Sequence, residues 1–248
     1  MSDLVNIEHQ DDILILTLNR PAQKNALSKA LLGELSSALS NEITDTTIAI
    51  IVHGAGGCFS AGGDLMELNG TLDDKAVDDA IEAVTTAMRT APVPVIAAID
   101  GPCMGGAFDV AVSCDVRIAN SKAIFQVPAT RLGLLYSPKS IMRMFKLLGR
   151  DGMMQMLVLG ERFDAQAALK GGIVSQVIDG DSCLDAAKEL ANRSRDNVRS
   201  AVEASKWLLN ALDSQDYDPE FWESVRMKML SSPEREEAVN RARKRLLK

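Results

Sequence analysis

The sequence is poor in the residues that build several common active sites. It has two histidines, His9 and His53, and four cysteines, Cys58, Cys103, Cys114 and Cys183, none spaced as a CxxC pair. A structural or catalytic zinc site is hard to assemble from that set. A Ser–His–Asp triad is equally hard to build with so little histidine. No signal-peptide pattern opens the chain, so reduced thiols in the cytoplasm are expected. The longest apolar runs, such as VPVIAAI at 93–99, fall well short of the roughly 20 residues of a membrane span. Positive charge is not in excess either. The net charge is −7 and the sequence pI about 5.0, which removes the basic footprint of a nucleic-acid binder. The short run RARKRLLK at the end reads as a solvated helix face or tail.

Three glycine-containing templates are also missing. There is no GxxxxGK[ST] for a phosphate loop and no GxGxxG after the first strand for a dinucleotide. The segment GCFSAG has the wrong spacing around Ser60 for a GxSxG nucleophile elbow.

What is present is ordinary globular composition, 248 residues with 46% hydrophobic and 25% charged. LVNIEHQ and ILILTLN read as two strands joined by the turn Asp11–Asp12. Leu27, Leu31, Leu35 and Leu39 recur at helical spacing. IAIIVHG and VPVIAAI are continuous apolar runs, as in parallel strands covered on both faces. DDKAVDDAIEAVTTAMRTA reads as an acidic amphipathic helix, and VRIANSKAIFQVP as two extended pieces around a turn. SPKSIMRMFKLLG, RDGMMQMLVLG and DAQAALKGG read as short helices ended by glycine. From Ser182 onward the pattern is helical. The methionines Met142, Met144, Met153, Met154 and Met156 read as core filler. His53 closes a strand and reads as a packing or capping residue. The expected organisation is an α/β core over 1–180 and an all-helical region over 181–248.

Two places repeat one layout of buried strand, glycine-rich loop and helix: IAIIVHGAGGCFSAGGDL and VPVIAAIDGPCMGGAFDVAV. Glycine lets backbone approach a ligand closely. A helix start offers unpaired N–H groups and partial positive charge. Two N–H donors from two loops, converging on one oxygen, would form an oxyanion hole. Asp109 lies one turn into the helix that starts near Gly106. Helical side chains lean toward the N-terminus, so its carboxylate would reach back to the same place and could move a proton. The alternative is an acid that only complements the helix dipole.

These segments resemble the enoyl-CoA hydratase/isomerase (crotonase) superfamily over about residues 5 to 180. LNRPAQKNALS is similar to its NRPxxxNAL segment, and CFSAGGDLMEL to its F-x-AG-x-DL segment. GPCMGGAFDVAVSCDVRIA matches its G-x-x-x-GG segment with an acid and a terminal CD. FQVPATRLGL and RFDAQAALKGGIVSQV follow in the family's order. The resemblance implies a ββα spiral core, a helical C-terminal trimerisation region and a coenzyme A thioester substrate. No separate cofactor and no metal are implied. Homotrimers, or hexamers made of two trimers, are implied as the assembly. The thioester oxygen would be held by the N–H groups of Gly63 and Gly106. Ala61, Gly62, Asp64 and Leu65 would line the coenzyme A site, with further substrate contacts at Ala26, Met104, Gly105 and Pro128.

The pattern departs from the family at the acids. The first position is Asp109, one methylene shorter than the usual glutamate, and the second is Ala129, which cannot transfer a proton. Arg131 and Tyr136 follow closely, and Tyr136 is the candidate replacement donor. Three reactions remain open: hydration of a 2-enoyl thioester, double-bond isomerisation with Asp109 as the single carboxylate, and decarboxylation of a malonyl-type thioester. A silent acyl-CoA-binding protein on the same fold is the non-enzymatic alternative.

Overall fold

The computed structural model describes residues 4–180 and 182–246. Strands β1 (Val5–Gln10) and β2 (Ile13–Leu18) form the opening hairpin. Asp11 and Asp12 make its turn at φ 49° and 63°, a left-handed conformation that aspartate tolerates better than most residues. Helix α1 (Lys29–Asn41) follows, capped by the Ser28 hydroxyl accepting from Leu31 N. Then come β3 (Ala49–Gly54), α2 (Lys75–Thr90), β4 (Val95–Ile99) and β5 (Pro102–Met104). Next are α3 (Gly106–Ser113), β6 (Val116–Asn120), β7 (Ile124–Gln126) and α4 (Pro138–Met153). The strand β8 (Phe163–Asp164), α5 (Ala165–Lys170), β9 (Gln176–Ile178) and α6 (Leu184–Asn192) complete the first unit.

The main sheet has six strands in the order β1-β2-β3-β4-β6-β9, antiparallel only between β1 and β2. A second sheet pairs β5, β7 and β8. Within one turn of the chain β4 runs on into β5, and β6 into β7, so each turn steps from one sheet to the other. Repetition of that step, with a helix between turns, is the ββα spiral expected from the sequence.

Burial on both faces explains the continuous apolar runs. Leu14, Leu16, Ile50, Val52, Val95 and Ala97 share one core cluster with Leu31, Leu35, Val84 and Phe108 of the helices. The alternate residues Ile13, Ile15, Ala49, Ile51, Ile96 and Ala98 face a second cluster with Cys183, Ala187 and Ala191. Strand residues alternate faces, so two helical layers demand apolar side chains at every position. Because α6 supplies the second layer, the first compact unit runs to residue 192. It therefore extends past the change of character placed at 180 from sequence alone.

The second unit, residues 193–248, contains α7 (Arg199–Ser214), α8 (Pro219–Leu230) and α9 (Pro233–Leu246). Trp207 packs edge-on against Phe221 and Trp222, with ring centroids 5.3 and 4.8 Å away. The basic end of α9 is exposed, as a solvated helix face would be. Among the described residues no helix is long and apolar enough to cross a membrane.

Three local readings receive a definite place. His53 bonds the Thr17 hydroxyl at 2.8 Å, and burial lowers its pKa against the pull of Asp100. It is a packing residue in the sheet. Met144, Met153 and Met156 are buried, whereas Met142 and Met154 stay exposed. Gly149, at φ 66° and ψ −179°, breaks the helical path inside α4, so the helix before it ends at the glycine as expected and a second short one runs on to Met153.

Candidate active site

The two glycine loops meet because short parallel bridges tie them together. Phe59 N donates to Asp100 O at 2.7 Å and Ser60 N to Pro102 O at 3.0 Å. Met104 N returns a bond to Ser60 O at 3.0 Å. On its other side the first loop is tied to the segment before α1. Leu27 N donates to Gly62 O at 2.8 Å, and Asp64 N donates to Leu27 O at 3.2 Å. This pairing uses the groups on either side of the Gly63 N–H and skips the N–H itself.

The second donor comes from a helix start. Gly105, at φ 55°, turns the chain into α3, and Gly106 is its first residue. A first-turn N–H has no intrahelical acceptor. A Cβ added to Gly106 would stand 3.9 Å from the Gly63 nitrogen, so the two glycines are neighbours. Among the described residues neither N–H meets an acceptor. Gly62 makes the approach possible. Its φ of +93° is a region L side chains rarely adopt, and a Cβ there would sit 2.5 Å from the Met104 carbonyl oxygen.

The NRPxxxNAL segment acts as the clamp behind this arrangement. The Arg20 guanidinium donates to Ala26 O at 2.7 Å and to Asp64 Oδ2 at 2.8 Å. That hydrogen bond holds the Asp64 carboxyl below its usual range, against the opposing effect of burial. Asn25 is fully buried, at φ 54°. Its amide donates to Ala55 O and Cys58 O at 2.9 and 2.6 Å, and its oxygen accepts from Arg20 N at 2.9 Å. In the sequence Arg20 and Asn25 stand out only as letters of the NRPxxxNAL segment; their role as ties between loops depends on contacts 30 to 44 residues apart.

The structure thus brings Gly62, Gly63, Met104, Gly105 and Gly106 into one place, and Tyr136 joins them. A Cβ on Gly105 would lie 3.1 Å from the Tyr136 hydroxyl. Burial first, then the charges of Asp109 and Asp78, raise the Tyr136 pKa, so the phenol keeps its proton and can donate it in a hydrogen bond. Ala61, Asp64 and Leu65 lie along the first loop and Ala26 in the segment before α1 that is tied to it, with Ala61 and Leu65 exposed. Pro128 is half-buried, two residues beyond Gln126, whose carbonyl accepts from Gly105 N at 2.8 Å. Ala129 is 1% exposed and contributes a methyl group to the core. Arg131 packs beside Gly160, its nearest nitrogens 3.4 Å from where a Cβ would be.

Asp109 departs from expectation. It is 1% exposed and its oxygens are already engaged. Ser140 Oγ donates to Oδ2 at 2.6 Å, Arg143 Nη2 to Oδ2 at 2.8 Å, and Arg143 Nε to Oδ1 at 2.9 Å. The carboxylate is aimed at α4, in a bidentate pair, rather than held free for a bound carbonyl. A proton placed on it would displace a guanidinium hydrogen bond, which counts against Asp109 as the sole acid/base. Arg143 also donates to Glu82 Oε2 at 2.9 Å, and Lys139 reaches Glu82 Oε1 at 3.3 Å. Burial works against the Arg143 charge, yet its bonds to Asp109 and Glu82 raise its pKa overall. Ser140 and Arg143 were missed in the sequence; their spacing of three, on one face of a helix, was the available signal.

Comparisons with known proteins identify the family. The family profile described as enoyl-CoA hydratase/isomerase matches residues 8–245. The 2,3-dehydroadipyl-CoA hydratase of Escherichia coli is 33% identical over 210 residues, covering 84% of this chain and 82% of that protein. The mitochondrial Δ(3,5)-Δ(2,4)-dienoyl-CoA isomerase of Mus musculus is 33% identical over 224 residues, covering 84% of this chain and 68% of the isomerase. A Bacillus anthracis enoyl-CoA hydratase superposes with a TM-score of 0.88 at 26% identity, covering 98% of this chain and 96% of its own. With the spiral fold, the paired glycine loops and a family match over most of its length, the chain belongs to the enoyl-CoA hydratase/isomerase family.

Proposed function

We propose that this protein carries out proton-transfer chemistry on an acyl-CoA thioester, through an enolate whose oxygen sits between the Gly63 and Gly106 N–H groups. The observation that carries this reading is the proximity of the two glycines, with the Gly63 nitrogen 3.9 Å from the Gly106 Cβ position. Fixed donors aimed at developing negative charge need no reorganisation during reaction. Relatives named as hydratases and a dienoyl isomerase support an enoyl thioester as substrate. Coenzyme A enters as part of that substrate. The exposed Trp207, Leu209, Leu212 and Met227 of the helical unit support a homotrimer or a hexamer. Four buried, free thiols support a reducing compartment such as the cytoplasm.

Decarboxylation of a malonyl-type thioester is the second reading. It is favoured by Ala129, by the engaged Asp109 and by a protonated Tyr136 beside Gly105. Loss of CO2 makes the enolate directly and asks for no strong base.

A substrate panel tests the class. A 2-enoyl-CoA, a 3-enoyl-CoA and methylmalonyl-CoA are each followed in D2O by NMR. Turnover of an enoyl thioester, with deuterium entering next to the carbonyl, is expected. Turnover of methylmalonyl-CoA alone selects the second reading. Tight binding of all three without turnover or exchange contradicts both and indicates a silent binding protein.

A further inference from the structure

The site as described holds an enolate but has no free carboxylate to make one. Ala129 has none, Asp109 is spent on Ser140 and Arg143, and Tyr136 keeps its proton. One remaining acid faces the same place. Helix α2 packs on α3, and the Ile81 Cδ1 atom lies 2.8 Å from a Cβ position on Gly106. Asp78 stands three residues before Ile81, on the same helical face one turn back. It is half-buried and acts electrostatically on both Asp109 and Tyr136. Among the described residues it has no hydrogen bond and no ion pair. Its helical neighbours are otherwise engaged: Lys75 contacts both oxygens of Asp79 at 2.6 Å, and Glu82 is paired with Lys139 and Arg143.

We propose that Asp78 is the proton-transfer residue of this site. The inference rests on the acyl-CoA reading above. In an isomerisation the carboxylate takes a proton from the carbon activated by the thioester. The C–H bond breaks, an O–H bond forms on Asp78, and the electron pair moves to the thioester oxygen between Gly63 and Gly106. Asp78 then delivers a proton, the one it took or one exchanged with solvent, to the far carbon of the conjugated system, the double bond shifts, and no other reactant is consumed.

The surroundings suit a base. Burial first, then the charges of Asp79, Asp109 and Asp74, push the Asp78 carboxyl up, opposed by Lys75. Tyr136 faces it from the loop before α4, and Lys139 and Arg143 of α4 are held by Glu82 and Asp109. A base moved toward neutrality accepts a proton more readily. The stability sign follows. A carboxyl raised in the folded state favours folding below its unfolded range, and that contribution is lost as pH rises through the raised value. Removing the charge should therefore cost no stability at neutral pH.

The experiment compares wild type, Asp78→Asn and Asp78→Glu on a 3-enoyl-CoA, with kcat, KM, a pH profile and melting temperature. Asp78→Asn is expected to lower kcat about 100- to 10,000-fold with KM within about threefold. It should also lose the limb of the profile that rises with pH, and melt no lower than wild type. Asp78→Glu should recover part of the rate. An active wild type whose Asp78→Asn variant keeps its rate and its rising limb overturns this inference alone. A wild type without turnover or exchange overturns the acyl-CoA reading and this inference with it.

Discussion

Gly62→Ala should fold and yet lose about 100- to 1,000-fold in kcat, the scale of one lost oxyanion donor. The new methyl group would sit 2.5 Å from the Met104 carbonyl oxygen and 3.2 Å from its carbon, both backbone atoms. Neither can swing away as a side-chain tip can. The residue's φ of +93° adds strain wherever the methyl group finds room. Relief must come from moving the Gly62–Gly63 peptide, which carries the proposed donor. Gly33→Ala is the control, because nothing lies within 4 Å of its Cβ position, its φ is not positive, and it stands on α1 rather than in the glycine loops. That variant should keep kcat within about threefold, since the donor stays in place. Steady-state kinetics on both variants, with melting curves to show folding, decide the matter. Equal activity in the two would remove Gly63 from the hole.

Arg143→Met should cost about 3–5 kcal/mol of stability, because it strands a buried carboxylate. Asp109 is 1% exposed and would keep only Ser140 as a partner. The guanidinium it loses supplies two of its three hydrogen bonds and also holds Glu82. Removing both charges in Asp109→Asn/Arg143→Met should recover a large part of the deficit, since paired deletion leaves no isolated charge. Urea denaturation of the four proteins in the cycle measures the coupling. A cycle with no coupling, or an Arg143→Met variant as stable as wild type, would show that the pair does not carry the load assigned to it.

The fold was legible where local chemistry and packing agree. Unbroken apolar runs in β3 and β4 mean two covered faces, and two faces are found. Glycine clustering in the two loops was equally plain. Their convergence was not, because it depends on Ser60 pairing with Cys103 and Leu27 with Gly63, contacts with no local trace. The acids show the same limit. Asp109 is conspicuous among small apolar neighbours, but the guanidinium that engages it comes from 34 residues away. In the run Asp73 to Asp79 the aspartates look alike. A helix turns about 100° per residue, so Asp79 bonds Lys75 outside while the half-buried Asp78 acts electrostatically on Asp109 and Tyr136. Only the packing of α2 on α3 separates them. The extent of the first unit shows the same limit: the amphipathic face of α6 declares that it needs a partner, and only the folded sheet says which.

The central claim is that a thioester oxygen lies between two backbone N–H groups. Infrared difference spectroscopy of a bound, unreactive acyl-CoA carrying 13C in its thioester carbonyl tests it most directly. Two aligned donors should lower the carbonyl stretching frequency on binding to wild type, and Gly62→Ala should shrink that shift. A thioester that binds wild type with its carbonyl frequency unchanged from water would contradict the account.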